Sequence, residues 1–127
     1  RVQAARRVSR WAAVAMTNKE RKKGTKWETA IVQYLNSNGY PGADRSPLRG
    51  TEDQGDITGL PGVCIEAKNC QTITLSVWLD QLAVEMAHAQ ADTGVVIAKR
   101  RGTADVGKSY ALMPVEVWLA LLKEAGR

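Results

Sequence analysis

The sequence predicts an α/β domain with a small central mixed β-sheet flanked by helices. Apolar stripes at helical spacing occur near the start, middle and end of the chain, and short Val/Ile-rich runs separate them. A Pro61-Gly62 pair joins two of these runs, as a hairpin requires. With 127 residues the chain holds one core and not two comfortable domains. Its 44% hydrophobic and 24% charged residues are those of a globular protein rather than a disordered one.

Residues 1–16 have the composition of a short helix interrupted by Arg6, Arg7 and Arg10. Met16 precedes TNKERKKG, so residues 1–15 are expected to be an upstream extension, and their charges carry little weight. WAAVAM is shorter than the apolar region of a secretion signal. Residues 1–21 are thus expected to form a basic extension, flexible or partly helical, ahead of a single domain at 22–127. Lys19–Lys23 reads as a charged linker ending at Gly24. Thr25 is the expected N-cap of the first helix, with Glu28 in capping-box position. Ile31, Val32 and Leu35 form its apolar face, and Asn38-Gly39 ends it.

Tyr40–Gly55 is mostly loop, with room for a short strand before Ser46. Asp56–Leu60 and Val63–Lys68 are the two hairpin strands. Leu75 to about Gln90 is helical, with Leu75, Leu79, Leu82, Met86 and Ala89 as the expected buried stripe and Thr74 or Ser76 as cap. Thr93–Lys99 and Ser109–Met113 are strands around a basic turn. Pro114 opens a last helix through Glu124, with Val115, Trp118, Leu119 and Leu122 as its apolar positions. Core packing is the expected role of Trp27, Trp78 and Trp118, a dimer contact being the alternative for Trp118.

The net charge of +5 is uneven: residues 1–26 carry +8 and the remainder −3. A basic segment on a slightly acidic body points to a polyanion partner. No run reaches the roughly 18 apolar residues of a membrane span. Two cysteines, six residues apart, match no usual metal spacing and read as reduced thiols of an intracellular protein.

Chemistry concentrates in GDITGLPGVCIEAKN, residues 55–69. Period two puts Cys64, Glu66 and Lys68 on one face of the second hairpin strand and Ile65 and Ala67 on the other. Asp56 begins the paired strand and can approach Glu66. Two carboxylates gathered in this way repel and lose hydration unless a divalent cation binds them, and Mg2+, with Mn2+ able to substitute, suits such oxygen donors. Lys68 can orient an attacking water or stabilise charge on a phosphorane-like transition state. The expected product carries a 5′-phosphate. Glu28 has two open roles, metal ligand or helix cap.

These residues resemble the PD-(D/E)XK nuclease superfamily, whose core joins a helix glutamate to D…E-x-K on a hairpin. The corresponding residues here are Glu28, Asp56, Glu66 and Lys68, within about residues 22–113, and Gly55 stands where the family has proline. The resemblance implies a restriction-endonuclease-like core, a nuclease domain over 22–127, and Asp56, Glu66 and Glu28 as metal ligands. Within the superfamily the chain is similar to small archaeal and phage Holliday-junction resolvases. Lys22, Lys23, Gly24 and Lys26 match their basic-Gly helix start, and Arg45, Ser46, Arg49 and Gly50 their serine-containing loop. The resemblance implies that Ser46 and its arginines contact the scissile backbone, that Gln81 lies near the active site, and that a homodimer nicks opposite arms of a four-way DNA junction in a prokaryotic or phage-infected cytoplasm.

Lys99, Arg100, Arg101 and Lys108 are further candidates for phosphate contact. Gly102–Ser109 formally matches a phosphate-binding GxxxxGK[ST] loop, but SYALMP follows where such a loop needs a helix. His88 stands alone and gives little support to a histidine-metal nuclease. Flap, single-strand or duplex cleavage, or DNA binding without catalysis, are the competing readings.

Overall fold

The computed structural model describes residues 17–47 and 53–127. Expectations on residues 1–16, Arg49 and Gly50 fall outside them. Helix α1 spans Asn18–Ser37 and begins about two turns before the expected start. Thr17 is its N-cap, and its side chain accepts a hydrogen bond from the Glu20 backbone N–H at 3.1 Å. The chain contains two T-x-x-E patterns, Thr17–Glu20 and Thr25–Glu28, and the fold uses the first as its cap. Lys19–Lys23 is therefore helix rather than linker, and the helix runs through residue 22. Lys, Glu and Arg propagate a helix well, and one Gly24 costs only about 1 kcal/mol. An apolar stripe beginning at Trp27 cannot reveal turns that bury nothing.

The domain is a small α/β unit around a mixed sheet of β1 (Asp44–Arg45), β2 (Ile57–Thr58), β3 (Val63–Lys68), β4 (Thr93–Ala98) and β5 (Tyr110–Leu112), in that spatial order. β1, β2 and β3 pair antiparallel, with Ile57 opposite Ile65 across the hairpin. β3 and β4 are parallel, which requires a crossover, and helix α2 (Leu75–Ala89) supplies it. β5 returns antiparallel to β4.

Alternation along β3 gives the sheet two buried faces. Ile65 packs with Ile57 and with Trp27 and Ile31 of α1. Cys64, with Val96 and Ala98 of β4, packs on Trp78 and Leu82 of α2. Helix α2 sits close here: a Cβ on Gly94 would lie 2.5 Å from the Met86 sulfur.

Two helices expose faces that differ from those expected. The buried residues of α2 are Trp78, Gln81, Leu82 and Glu85, while Leu75 is exposed and Leu79 and Met86 pack at the edge. Thr74 is the N-cap residue but makes no side-chain cap bond. In helix α3 (Val115–Glu124), Val117 is the buried residue, and Val115, Trp118 and Leu119 are exposed. Trp118 is not a core residue. The Gly102–Ser109 segment contains a short 3-10 turn at Val106–Lys108 and leads into β5, so no helix receives a phosphate there. Both cysteines are free, Cys64 buried and Cys70 exposed. Among the described residues, no helix is long and apolar enough to cross a membrane.

Candidate metal centre

The hairpin and α2 meet over the polar end of β3. Glu66 lies between Ile65 and Ala67 and, by strand alternation, faces α2, where it is only 4% exposed. Asp56 immediately precedes β2. Its backbone N–H donates to the Ile65 carbonyl at 2.8 Å, and its Oδ2 accepts from the Ala67 N–H at 2.9 Å. The hairpin thus fixes the first carboxylate against the strand that carries the second.

Gly55 explains the departure from the expected proline. Its φ is +99°, and a Cβ there would lie 2.9 Å from the Ile65 carbonyl oxygen. Proline, fixed near −65°, cannot take this conformation.

Helix α2 adds Gln81 and Glu85, one turn apart on the buried face and 5% and 0% exposed. The Gln81 side-chain amide reaches three groups. Its Nε2 donates to Glu66 Oε2 at 3.1 Å and to Glu85 Oε2 at 3.0 Å, and its Oε1 accepts from Lys68 Nζ at 2.9 Å. Lys68 Nζ is also 3.4 Å from Glu66 Oε2. One neutral side chain therefore orients two carboxylates and the ammonium together.

Asp53 completes the cluster. Its carbonyl accepts a 2.9 Å hydrogen bond from His88 Nδ1, and its Oδ1 accepts from the Gly55 N–H at 2.9 Å. Asp53, Glu66 and Glu85 each present a carboxylate oxygen within 4.8 Å of the other two.

Two buried carboxylates, Glu66 and Glu85, with the half-buried Asp53 and Asp56 beside them and one ammonium, are electrostatically unfavourable alone. Burial, then the Glu66 and Glu28 charges, push the Asp56 carboxyl well above its ordinary range. Burial and the Glu85 charge raise Glu66, against the lowering effect of Lys68. Glu85 is pushed up to about 8, first by burial, with the Asp53 and Asp56 charges adding to it against the lowering effect of Glu66. Burial likewise raises the Cys64 thiol, which leaves it unreactive. Glu66 Oε1 and Glu85 Oε1 are buried without any hydrogen-bond partner. Hard oxygen donors, excess negative charge and two orphaned carboxylate oxygens fit a divalent cation, and the Asp53/Glu66/Glu85 cluster can coordinate one.

The predicted residues divide. Glu66, Lys68 and Gln81 join this network directly, and Asp56 flanks it. Glu28 is neither the helix cap nor a member of the three-carboxylate cluster. It forms a 3.0 Å ion pair with Arg45, whose guanidinium also reaches Thr25 Oγ1 at 3.4 Å. Ser46 is held through its backbone N–H, which donates to the Asp56 carbonyl at 2.8 Å. Lys99 Nζ is tied to its own loop through the carbonyls of Thr103 and Arg100. Arg100, Arg101 and Lys108 are exposed. Lys22, Lys23 and Lys26 are exposed along α1 rather than gathered at its start.

Sequence reasoning missed Asp53 and Glu85. The available signal for Glu85 was Trp78, Gln81, Leu82 and Glu85 at i, i+3, i+4 and i+7, a helical face with two polar members. Comparison with protein-family models, with curated proteins and with solved structures gave no match.

Proposed function

We propose that this chain is a divalent-metal-dependent DNA endonuclease of the PD-(D/E)XK type, with a restriction-endonuclease-like core, and that its substrate is the four-way junction. The observation that carries this reading is the joint placement of Asp56, Glu66 and Lys68 on one hairpin, with Gln81 linking Lys68 to Glu66 and Glu85. A surface salt-bridge network would not bury Glu66 and Glu85 and leave an oxygen of each unpartnered.

Asp53, Glu66 and Glu85 would hold the cation, Mg2+ or in its place Mn2+, with Asp56 beside them. When bound, it supplies Lewis-acid polarisation of a phosphate oxygen and charge neutralisation among the carboxylates. Lys68 keeps its ammonium at the partly open edge of the cluster, its side chain 18% exposed. There it orients a water for attack on phosphorus or stabilises the negative charge that develops on the phosphate. Gln81 fixes Lys68 and Glu66 relative to one another, so it is a positioning residue. Breakage of the P–O3′ bond leaves a 5′-phosphate. The Lys99 backbone N–H donates to the Lys68 carbonyl at 2.9 Å, so the loop bearing Arg100 and Arg101 starts beside the site and can grip flanking phosphates.

The test is cleavage of four-way junction, flap, single-stranded and linear duplex DNA, with Mg2+ or EDTA, by the native chain and by Asp56→Asn. Paired symmetric nicks confined to the junction, and lost with EDTA or Asp56→Asn, are expected. Comparable cutting of all four substrates would keep the metal nuclease and remove junction selectivity. Binding without cutting by folded, cation-loaded protein would leave a DNA-binding protein.

A further inference from the structure

Strand register carries the face of Lys68 across the sheet. Lys68 on β3 pairs with Ala98 on β4, and Ala98 pairs with Tyr110 on β5, so the three form one transverse row. Neighbours in such a row project to the same side of a sheet. Three contacts identify that side as the one facing α2. Lys68 reaches Gln81, Ala98 packs with Trp78 and Leu82, and Leu112, two residues beyond Tyr110, packs on the same cluster. Tyr110 therefore shares a face with the carboxylates, two strand spacings or roughly 10 Å from Lys68. Ala98 is buried between them, whereas Tyr110, on the edge strand, is 44% exposed.

The charges around this ring indicate what it takes. The segment joining β4 to β5 is closed at its base by the Arg100 backbone N–H, which donates to Ser109 Oγ at 3.2 Å. Arg100 is thus held against the residue preceding Tyr110. Arg100, Arg101 and Lys108 are exposed, and none forms an ion pair among the described residues. Asp105 is the one acid of this segment, and its side chain accepts the Gly107 N–H at 3.0 Å. An aromatic face bordered by cations suits a ligand with flat rings and a repeating negative charge, which a nucleic-acid strand supplies. An aliphatic partner would leave the cations unused, and an intact duplex keeps its base faces covered. A stacked strand advances about 3.4 Å per nucleotide, so a phosphate at Lys68 puts Tyr110 about three nucleotides away.

We propose that Tyr110 is a stacking platform for an unpaired nucleobase within about three nucleotides of the phosphate at Lys68, with Arg100 and Arg101 on the flanking phosphates. The chain then selects DNA in which base stacking is interrupted. This rests on the DNA reading above and adds to it the feature of the substrate that is recognised.

Fluorescence anisotropy of the whole chain tests it, with a labelled single strand of about 12 nucleotides and a linear duplex, in EDTA so that no cut intervenes. Tyr110→Leu should weaken single-strand binding about tenfold and Tyr110→Phe less than about twofold, because the ring face makes the contact. Both variants should bind duplex within about twofold of native. Tyr110→Leu should keep the native salt dependence, whereas Arg100→Ala should lower the single-strand slope by about 0.7. Equal losses on single strand and duplex, or Tyr110→Phe as weak as Tyr110→Leu, would overturn the proposal. So would an indifferent Tyr110→Leu, or folded native protein that binds no single strand. Cleavage is not read: binding through Tyr110 without cutting keeps this proposal and removes the nuclease, and cutting indifferent to Tyr110→Leu does the reverse. An unchanged melting temperature confirms folding, and Tyr110→Thr, which keeps the strand preference, replaces Tyr110→Leu should that variant unfold.

Discussion

Ile65 and Glu66 are neighbours on β3, almost equally buried, and face opposite sides of the sheet. Toward α1, Ile65 meets Ile57, Ile31 and Trp27, and burial there releases water from apolar surface at no electrostatic cost. Toward α2, the Cys64–Trp78–Leu82–Val96 cluster gives way to Glu66, Gln81 and Glu85, where burial strips water from charged groups. One face stabilises the fold. The other sacrifices stability to hold carboxylates close, in an arrangement that can coordinate a divalent cation.

The sharpest way to break this contrast is to alter the two neighbours in turn. Ile65→Ala should lower stability by about 2–5 kcal/mol, read from urea unfolding, because it opens a cavity in a closely packed cluster. Glu66→Gln should leave stability in EDTA unchanged or higher, since it replaces a carboxyl whose ionisation burial and Glu85 oppose with a neutral amide of the same shape. The same change should reduce cleavage by about a hundredfold or more. Equal loss of stability in both variants would mean that the α2 face is structural like the other.

Next in size is Gly55→Ala. A left-handed φ of +99° and a carbonyl 2.9 Å from the new Cβ should cost about 1–3 kcal/mol and loosen the seat of Asp56. Thermal unfolding reads the cost, and a melting temperature within a degree of native would contradict the placement of the hairpin.

The pH dependence sharpens the comparison further. Between the ordinary 4.5 and its folded value of about 8, Glu85 holds a proton in the folded chain that the unfolded chain has released. This contribution to stability is complete below pH 4.5 and is lost as the pH rises through 8. In EDTA the melting temperature should therefore fall by about 5 °C or more between pH 5 and pH 8, and Glu85→Gln should flatten the change. Identical slopes for native and Glu85→Gln protein would remove Glu85 from the account. The smallest effect belongs to Glu28→Gln: its partner Arg45 is 45% exposed, so breaking the pair should cost under about 1 kcal/mol in the same unfolding measurement.

The hairpin was the most legible part of the chain, because Pro61-Gly62 and strict alternation determine both the turn and the face of Glu66. The hairpin, the strands and the crossover helix could be read from local pattern, whereas the strand order depends on pairing between distant segments. The polar start of α1 was hidden because it has no apolar period, and a second T-x-x-E offered an equivalent cap. In α2, a purely apolar stripe through Leu75 and Met86 competed with the face that Trp78, Gln81, Leu82 and Glu85 bury. Periodicity finds residues buried for hydrophobic reasons and passes over those buried for chemistry. Asp53 had no periodic signal at all: the α2 histidine, His88, holds its backbone through a contact 35 positions away in sequence.

The Asp53/Glu66/Glu85 carboxylates can coordinate a divalent cation. Calorimetric titration of Mn2+ into the native chain, Glu66→Gln and Glu85→Gln at neutral pH, repeated in two buffers of different ionisation enthalpy, tests it most directly. The expected result is saturable binding to native protein with proton release, abolished in Glu66→Gln and weakened in Glu85→Gln. Binding of equal strength in all three, or none to folded native protein, would contradict it.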